Sequence, residues 1–339
     1  MVKKPRIDAA ARQECSELSS TGSQTDRTGR TSQVDMKPAV QLLDHVESSL
    51  RSTGGKDLDH RKRSRRCHKP PFHYRKYLVL SVLKMSAPHG IVAVVEDLVW
   101  AMEAAATPEN ARALTRYFKV APGSYGEGDI FLGLKLGDLR QLAKPYAALV
   151  FEPDQWLPML RSPIHEHRLI ALVVMTERAK KSVKKPANEA ELQVIYDTYL
   201  GNTSYVNNWD LVDVSCGPIV GCYLLDRDRS PLYELVRSEL LWDRRIAIVG
   251  SQYFLRRGET ADLYRLAEML LPDQHDLIHK AVGWSLREAG KRVDRDELRR
   301  FLDQHAASMP RTALRYAIEH FEPAERQHYL AIPRHREPK

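Results

Sequence analysis

Glycine, cysteine and long apolar runs are all scarce in this sequence of 339 residues. Only 17 residues are glycine, whereas alanine, leucine, arginine and glutamate are plentiful, which favours helix over sheet. No run approaches the roughly 18 to 20 consecutive apolar residues that a membrane-spanning helix needs. The N-terminus also lacks the apolar core of a secretory signal. We therefore expect a helical protein that does not insert into a membrane.

The four cysteines exclude two common kinds of site. Cys15, Cys67, Cys216 and Cys222 form no C-x-x-C pair, and no histidines follow them at zinc-ligand spacing. Cys216 and Cys222 lie in an apolar run, where buried free thiols are typical. The cysteines therefore predict a reducing, cytoplasmic location and no zinc site.

Positive charge is concentrated at the start of the chain. Residues 1–84 contain 18 Lys and Arg against 9 Asp and Glu, and the remainder contains 34 against 35. The net charge of +8 is therefore weak support for nucleic-acid binding by the body of the protein. We predict that residues 1–84 are a disordered basic extension. Its cluster RKRSRRCHKPPFHYRKY, at 61–77, could be a nucleic-acid-binding arm or nuclear-type signal. It could equally be a solvated tail, possibly sequence upstream of a true start at Met85.

After this extension, apolar residues recur at spacings of three and four in one segment after another, separated by proline and glycine. No stretch alternates convincingly with period two. Several of these segments open with a short polar or proline turn. With Pro163, Trp242, His275 and Met309 as register marks, the gaps are 79, 33 and 34 residues, and NNWDLVD (207–213) lies near the middle of the longest gap.

A helix-pair period of about 33 to 44 residues is typical of HEAT-type repeats. We predict an all-α fold, a right-handed α-solenoid of HEAT-like repeats over residues 85–332, with a flexible C-terminus at 333–339. In such an array the inner helices present their side chains to one concave surface, which suits a duplex or a helix of another protein.

Indole, carboxylate and guanidinium groups recur at similar depth in three successive repeats. Trp209 and Asp213 share a face if their segment is helical, and Arg245, Trp284 and Arg287 follow in the next two repeats. One interpretation is that the aromatic and basic residues pack the repeats and that Asp213 forms an internal ion pair. For the group as a whole we favour a functional site.

Four segments resemble motifs of the DNA alkylation repair glycosylases of the AlkD type, in the family's order: FLGLKLGDLRQLAK (131–144), NNWDLVDVS (207–215), LWDRRIAIV (241–249) and KAVGWSLREAGK (280–291). The resemblance implies a HEAT-like solenoid whose concave face binds double-stranded DNA containing alkylated purines. It implies excision of cationic N3- and N7-alkylated purines with no metal and no cofactor. It also implies a monomer that acts on the nucleoid within the cytoplasm, with the lesion kept near the base stack.

Matched motif by motif, the resemblance places the catalytic carboxylate at Asp213, two sugar-contacting tryptophans at Trp209 and Trp284, and an essential arginine at Arg245. An alkylated purine of this kind already carries positive charge, so it can leave without a general acid. Asp213 can then stabilise the sugar cation and position water, while Arg245 holds a backbone phosphate. The further candidates for DNA contact are Arg287, Arg244, Tyr117, Lys135 and Asn208.

The competing hypothesis is a non-catalytic HEAT-repeat scaffold that binds DNA or a protein on its concave face. Two further features have simpler interpretations. The Gly-rich segment at 120–133 lacks G-K-[ST] and predicts a flexible loop near the DNA rather than a nucleotide site. His165, Glu166 and His167 are interpreted as polar surface residues of a helix start, because no third ligand lies in register for a metal.

Overall fold

The computed structural model describes residues 92–333. The basic extension, its possible role, the start at Met85, Cys15, Cys67 and nearly all of the C-terminal segment lie outside the described residues. The α-helices are α1 (Val92–Ala105), α2 (Pro108–Tyr117), α3 (Leu136–Tyr146), α4 (Pro153–Leu160), α5 (His165–Ser182), α6 (Glu189–Leu200), α7 (Trp209–Cys216), α8 (Cys222–Leu224), α9 (Ser230–Leu235), α10 (Leu241–Ser251), α11 (Ala261–Met269), α12 (Asp276–Arg292), α13 (Arg295–His305), α14 (Arg311–Ala317) and α15 (Pro323–Ala331).

Extended pairing between residues 92 and 333 is limited to one isolated parallel bridge, from Ile130 to Ile164. The all-α prediction is therefore confirmed. Short 3₁₀ turns cover Thr203–Tyr205 and Gln252–Arg257, and a π-helical turn at Gly217–Gly221 joins α7 to α8. None of the helices in the described part of the chain is long and apolar enough to cross a membrane.

The helices form the layers of an α-solenoid. An inner layer is built from α3, α5, α7, α10, α12 and α14, and each of these helices packs against the next. Outer helices, among them α4, α6, α11 and α13, pack against the inner helix of their own repeat or of the neighbouring one. The segment NNWDLVD begins α7, an inner helix between α5 and α10, as the spacing of the repeats predicted.

Three inner helices begin with the same hydrogen-bonded turn, which explains the repeat seen in the sequence. The side chains of Ser162, Ser238 and Asp273 each accept a hydrogen bond from the backbone N–H two residues later, at 3.1, 3.1 and 2.8 Å. Such side-chain turns satisfy backbone donors that a helix start leaves unpaired.

A basic side chain six residues after each turn residue completes the arrangement. Arg168, Arg244 and His279 donate to the backbone carbonyls of those turn residues at 2.7, 2.9 and 2.6 Å. These bonds tie the first two turns of each inner helix to the chain that leads into it. Arg244, which the sequence placed among the DNA-contacting candidates, thereby has a structural partner.

The inner helices α12 and α14 approach closely at Gly283. A Cβ atom at this position would lie 2.3 Å from the carbonyl oxygen of Ala313 and 2.5 Å from the Cβ of Tyr316. Both atoms belong to a helix backbone or its first side-chain carbon, so neither can move aside without shifting α14. Glycine is therefore required here by packing.

We expect Gly283→Ala to lower the free energy of unfolding by about 2 to 3 kcal/mol, because the added methyl group overpacks the α12–α14 contact. Urea unfolding of the purified protein would measure the change. Gly137→Ala is the matched control, since a Cβ there meets nothing within 4 Å, and helix propensity predicts a gain of up to about 1 kcal/mol. Equal effects of the two substitutions would contradict the packing argument.

Candidate functional site

Trp209 and Asp213 lie one turn apart on α7, as their spacing predicted. The helix is capped by Asn208, whose side-chain oxygen accepts a hydrogen bond from the Trp209 N–H at 2.8 Å. The Asn208 amide is completely buried and donates to Asp129 at 3.5 Å. This cap sets where the first turn of α7 begins and hence where the two functional candidates point.

Asp213 forms a two-point ion pair with Arg245 of the next inner helix, α10. The Arg245 Nε and Nη2 groups donate to Asp213 Oδ1 and Oδ2 at 2.9 and 2.7 Å. Arg245 Nη1 donates to the carbonyl of Leu277, at the start of α12, at 2.7 Å. One guanidinium therefore links three successive inner helices and fixes both oxygens of the carboxylate.

The two partners differ in their access to solvent. The Asp213 side chain is 21% exposed, whereas that of Arg245 is 6% exposed. Each carboxylate oxygen can accept a further hydrogen bond, so Asp213 can still accept one from water or substrate on its open side. Burial raises the pKa of Asp213 above its ordinary value, although the Arg245 guanidinium opposes this by favouring the charged form.

Asp213 opens into a cavity of about 590 Å³, called the first cleft. The first cleft is lined by Tyr117, Lys119, Tyr125, Trp209, Asp213, Arg245, His275, Asp276, Leu277, Lys280, Trp284, Arg287 and Tyr316. The structure thus brings together all four residues predicted to be catalytic, with Arg287 and Tyr117 beside them. Their convergence from separate helices is the geometry that the enzyme hypothesis requires.

Three of the residues predicted to contact DNA do not line the first cleft. Lys135 is exposed just before α3, and Asn208 is buried beneath the start of α7. The Arg244 guanidinium donates to Asp273 at 2.7 Å and to two backbone carbonyls at 2.9 Å. Arg244 therefore holds the start of α10 in place, while its neighbour Arg245 reaches the cleft.

The expected phosphate contact of Arg245 also differs from the contacts that its side chain makes. Three of its N–H groups are already used by Asp213 and Leu277. Arg287 is engaged as well: it donates to Glu288 at 3.3 Å and forms an ion pair with the half-exposed Glu319. The geometry thus favours Arg245 as the residue that positions Asp213.

The interpretation of His165, Glu166 and His167 as surface residues is wrong, because all three side chains are buried. The helix α5 that carries them is surrounded by other elements, so even its polar first turn is covered. His165 lies between two carboxylates, with Nδ1 3.0 Å from Asp129 and Nε2 2.8 Å from Asp210. Within residues 92–333, no three metal-binding side chains converge on a common point.

This buried network supports the indole of Trp209. The Phe118 ring stacks on Trp209, with ring centroids 5.4 Å apart, and also lies 5.1 Å from the His165 ring. Tyr117 meets the indole edge-on at 6.0 Å. Trp209 therefore presents its remaining exposed surface to the first cleft from a fixed position.

The Gly-rich segment is fastened to the body by the same network. Glu166 accepts hydrogen bonds from the backbone N–H groups of Leu132, Gly133 and Leu134 at 2.9, 2.8 and 3.2 Å. Asp129 pairs with Arg168 at 2.5 Å. Gly133 has a left-handed backbone, with a φ of +91°. A Cβ atom at this position would lie 2.3 Å from the carbonyl oxygen of Thr107, so the position requires glycine.

Sequence reasoning missed several residues of the first cleft, among them Lys119, Tyr125 and Lys280. Lys119 has a left-handed backbone, with φ of 52°, directly after α2, and Tyr125 lies in the Gly-rich segment. The sequence predicted that this segment is a flexible loop near the DNA. Its glycines gave no indication of which side chain it would place in the cleft.

The buried position of His165 predicts a pH dependence of stability. Burial alone would lower its pKa, but the hydrogen bonds to Asp129 and Asp210 outweigh this and raise the pKa to about 9. Because the folded-state pKa exceeds the ordinary value of 6.5, the stabilisation is fully present below pH 6.5 and is lost as the pH rises through 9. The loss across this window should be at most about 3 kcal/mol.

Urea unfolding between pH 6 and pH 9.5 would measure this loss, with His165→Gln as the comparison. The variant should be less stable at neutral pH, because Asp210 loses the cation beside it and Asp129 keeps only Arg168, but its stability should vary less across the window. Burial lowers the pKa of His167 and of His275, so their effects fall at lower pH. Parallel pH profiles for wild type and variant would show that folding does not raise the pKa of His165.

Comparison with known proteins agrees with this fold. The model of the DNA alkylation repair enzyme family matches residues 99–321, more than half of the chain. No curated protein matches the sequence. A solved structure described as a predicted DNA alkylation repair enzyme from Enterococcus faecalis has a TM-score of 0.50 and 15% sequence identity, with 64% of this chain and 97% of that chain covered. At that identity the likeness concerns the fold alone, but the family match extends through every repeat that borders the first cleft. The chain belongs to the DNA alkylation repair enzyme family.

Proposed function

We propose that this protein is a DNA glycosylase of the AlkD type, which hydrolyses the N-glycosidic bond of cationic N3- or N7-alkylated purines in duplex DNA. The observation that carries the proposal is the placement of Asp213. Its carboxylate is held at both oxygens by Arg245 and yet is open to a cleft that it shares with Trp209 and Trp284.

The chemistry of this lesion needs an anion beside the sugar. The alkylated purine is already positively charged, so the bond electrons leave with the base, which becomes neutral, while positive charge develops on the deoxyribose. The Asp213 carboxylate can stabilise that charge and accept a proton from the attacking water. Because the cleft is partly shielded from solvent, a charge there acts more strongly than in bulk water.

Trp209 of α7 and Trp284 of α12 are distant in the sequence, but their half-buried indoles line the same cleft. An indole face attracts a nearby cation by about 0.5 to 2 kcal/mol, according to its solvation. Both residues can therefore bind the C–H surface of the sugar and stabilise its developing charge. The support of Trp209 by Phe118 makes such a contact available without rearrangement.

Arg245 acts on the reaction through Asp213. Its two-point contact orients the carboxylate and helps to keep it ionised, while the third hydrogen bond, to Leu277, holds the guanidinium in place. The phosphates of DNA are then bound by other cations. Lys119, Lys280 and Arg287 line the same cleft. Lys280 and Arg287 are paired with Asp276 and Glu319, but both carboxylates are at least half exposed, so these pairs can give way to phosphates. Salt-dependent phosphate binding by such residues is general for DNA-binding proteins.

The alternative is a scaffold that binds DNA or another protein without turnover. The Asp213–Arg245 ion pair is the observation in its favour, because a paired carboxylate can be purely structural. The openness of Asp213 to the cleft argues against this alternative.

The test is release of 7-methylguanine and 3-methyladenine from methylated duplex DNA by the purified protein, with liberated bases separated by chromatography. We expect both bases to be released and abasic sites to appear in equal amount. Duplex binding without any release, under conditions where a known glycosylase releases both bases, would establish the scaffold instead.

A further inference from the structure

A second cleft adjoins the first and has no role in the chemistry described above. It has a volume of about 450 Å³, and Asp213 and Trp284 line both clefts. Three cationic side chains also line it: Lys180 of α5, Arg256 of the 3₁₀ turn after α10, and Arg292 at the end of α12. The two clefts therefore meet at the proposed catalytic carboxylate.

The charge of the second cleft favours an anionic ligand. Among its lining residues Asp213 is the one carboxylate, and that carboxylate is already paired with Arg245. Lys180 and Arg292 form ion pairs with Glu177 and Glu288, each at 2.8 Å. Both cationic side chains are at least half exposed. Lys180 and Glu177 form an exposed pair, which contributes only about 0 to 1 kcal/mol, so the Lys180 donors can be redirected to a phosphate at little cost. Glu288 is mostly buried, but it also pairs with Arg287 at 3.3 Å and therefore keeps a cation when Arg292 turns to a phosphate.

Among the described residues that line it, the second cleft offers no free aromatic ring on which a base or another flat aromatic group could stack. Tyr253 is the aromatic residue that the second cleft does not share with the first. The Arg256 guanidinium lies over its ring, 3.6 Å from the centroid, so this ring face is already covered. Trp284 also lines the first cleft, where we assign its indole to the sugar. The cationic side chains that line the second cleft supply N–H donors, which suit phosphate oxygens.

We propose that the second cleft binds backbone phosphates of the DNA strand whose modified nucleotide occupies the first cleft. The inference rests on the proposed function, because it places the sugar of that nucleotide at Asp213. A strand carries one phosphate per 3.4 Å of helical rise, roughly, so a strand that passes Asp213 brings about one or two phosphates within reach of the second cleft. Lys180, Arg256 and Arg292 are the residues that hold them.

The experiment compares two double variants that remove the same charge from neighbouring positions. Arg256→Gln with Arg292→Gln removes two cations of the second cleft. Arg257→Gln with Lys291→Gln is the matched control, since these exposed residues line neither cleft and Arg257 pairs with Asp226. The dissociation constant for an unmodified fluorescent duplex is measured by anisotropy at several salt concentrations from about 50 to 200 mM. Thermal unfolding checks that both variants are folded.

Each phosphate contact contributes about 0.9 to the slope of log affinity against log salt concentration. We expect the cleft variant to lose one to two units of this slope, roughly, and at least about tenfold in affinity at the lowest salt. The control variant should keep the wild-type slope. Slopes that are unchanged in the cleft variant, or reduced equally in both variants, would overturn the phosphate site.

Failure of this inference is distinguishable from failure of the proposed function, because the binding assay needs no turnover. A protein that releases no base but loses slope only in the cleft variant has the phosphate site without the glycosylase activity. A protein that releases methylated bases and shows equal slopes in all forms is a glycosylase whose second cleft has no phosphate site.

Discussion

Asp213→Asn should reduce the release of 7-methylguanine from methylated duplex DNA by a factor of about 100 or more, the scale of loss seen when one charge-stabilising group is removed from an active site. The substitution keeps the size of the side chain but removes the negative charge that we propose stabilises the sugar cation. It also removes an anion from the first cleft, so affinity for the duplex should stay the same or increase. Single-turnover base release and duplex binding by anisotropy would measure the two quantities separately.

Asp276→Asn provides the comparison for this experiment. Asp276 lines the same cleft but pairs with Lys280 at 2.7 Å and lies at the exposed start of α12. Its substitution changes the charge of the cleft by the same amount and should reduce base release far less. Equal losses from the two substitutions would mean that the overall charge of the cleft matters and that Asp213 has no special role. Equal release by wild type and Asp213→Asn would exclude the proposed mechanism.

Arg245→Met should lower the free energy of unfolding by about 3 kcal/mol and abolish most base release. Removing one partner of a buried ion pair leaves the other charge without compensation, which generally costs about 3 to 5 kcal/mol. We expect a loss at the lower end of this range, because Asp213 is exposed on its cleft side and water can solvate the unpaired carboxylate. The same substitution removes the hydrogen bond from Arg245 to the carbonyl of Leu277, which links α10 to the start of α12.

The double variant Asp213→Leu with Arg245→Met tests whether the loss arises from the unpaired charge. Replacing both members of a buried pair by apolar residues of similar size is often nearly neutral, so the double variant should recover most of the lost stability without recovering activity. Urea unfolding of the wild type, of Asp213→Leu, of Arg245→Met and of the double variant gives the coupling energy between the two residues directly. Additive losses would mean that Arg245 stabilises the fold independently of Asp213.

The sequence was sufficient to predict the repeats and the central residues of the site. Spacing alone placed Trp209 and Asp213 on one helix face, since four residues make about one helical turn. The register of the repeats placed α7, α10 and α12 beside one another, and so predicted that residues from three motifs would converge. Both inferences depend on local periodicity, which a sequence records directly.

The roles of neighbouring arginines could not be read in the same way. Arg244 and Arg245 are adjacent in the chain, and which of them faces the cleft depends on the rotation of α10. A usable signal was nevertheless present. Ser238 precedes Arg244 by six residues, as Ser162 precedes Arg168, and in the structure both arginines bind the carbonyl of that serine. The shared spacing identifies Arg244 as the structural residue of the pair.

The polar start of α5 was misinterpreted for a different reason. His165 and Glu166 look like residues of an exposed first turn, because a run of polar side chains at a helix start is usually solvated. Their partners, Asp129 and three backbone amides, come from the Gly-rich segment more than thirty residues earlier in the chain. Long-range partners of this kind depend on tertiary packing and leave no periodic trace.

The bond between Glu166 and the Gly-rich segment has a consequence for the dynamics of the first cleft. One buried carboxylate holds the amides of Leu132, Gly133 and Leu134, so none of them can exchange with solvent deuterium while that carboxylate stays in place. We therefore expect the three amides to exchange together, as one cooperative opening unit. Their common exchange rate would report how often this end of the Gly-rich segment comes away from α5, at a distance from the proposed catalytic residues.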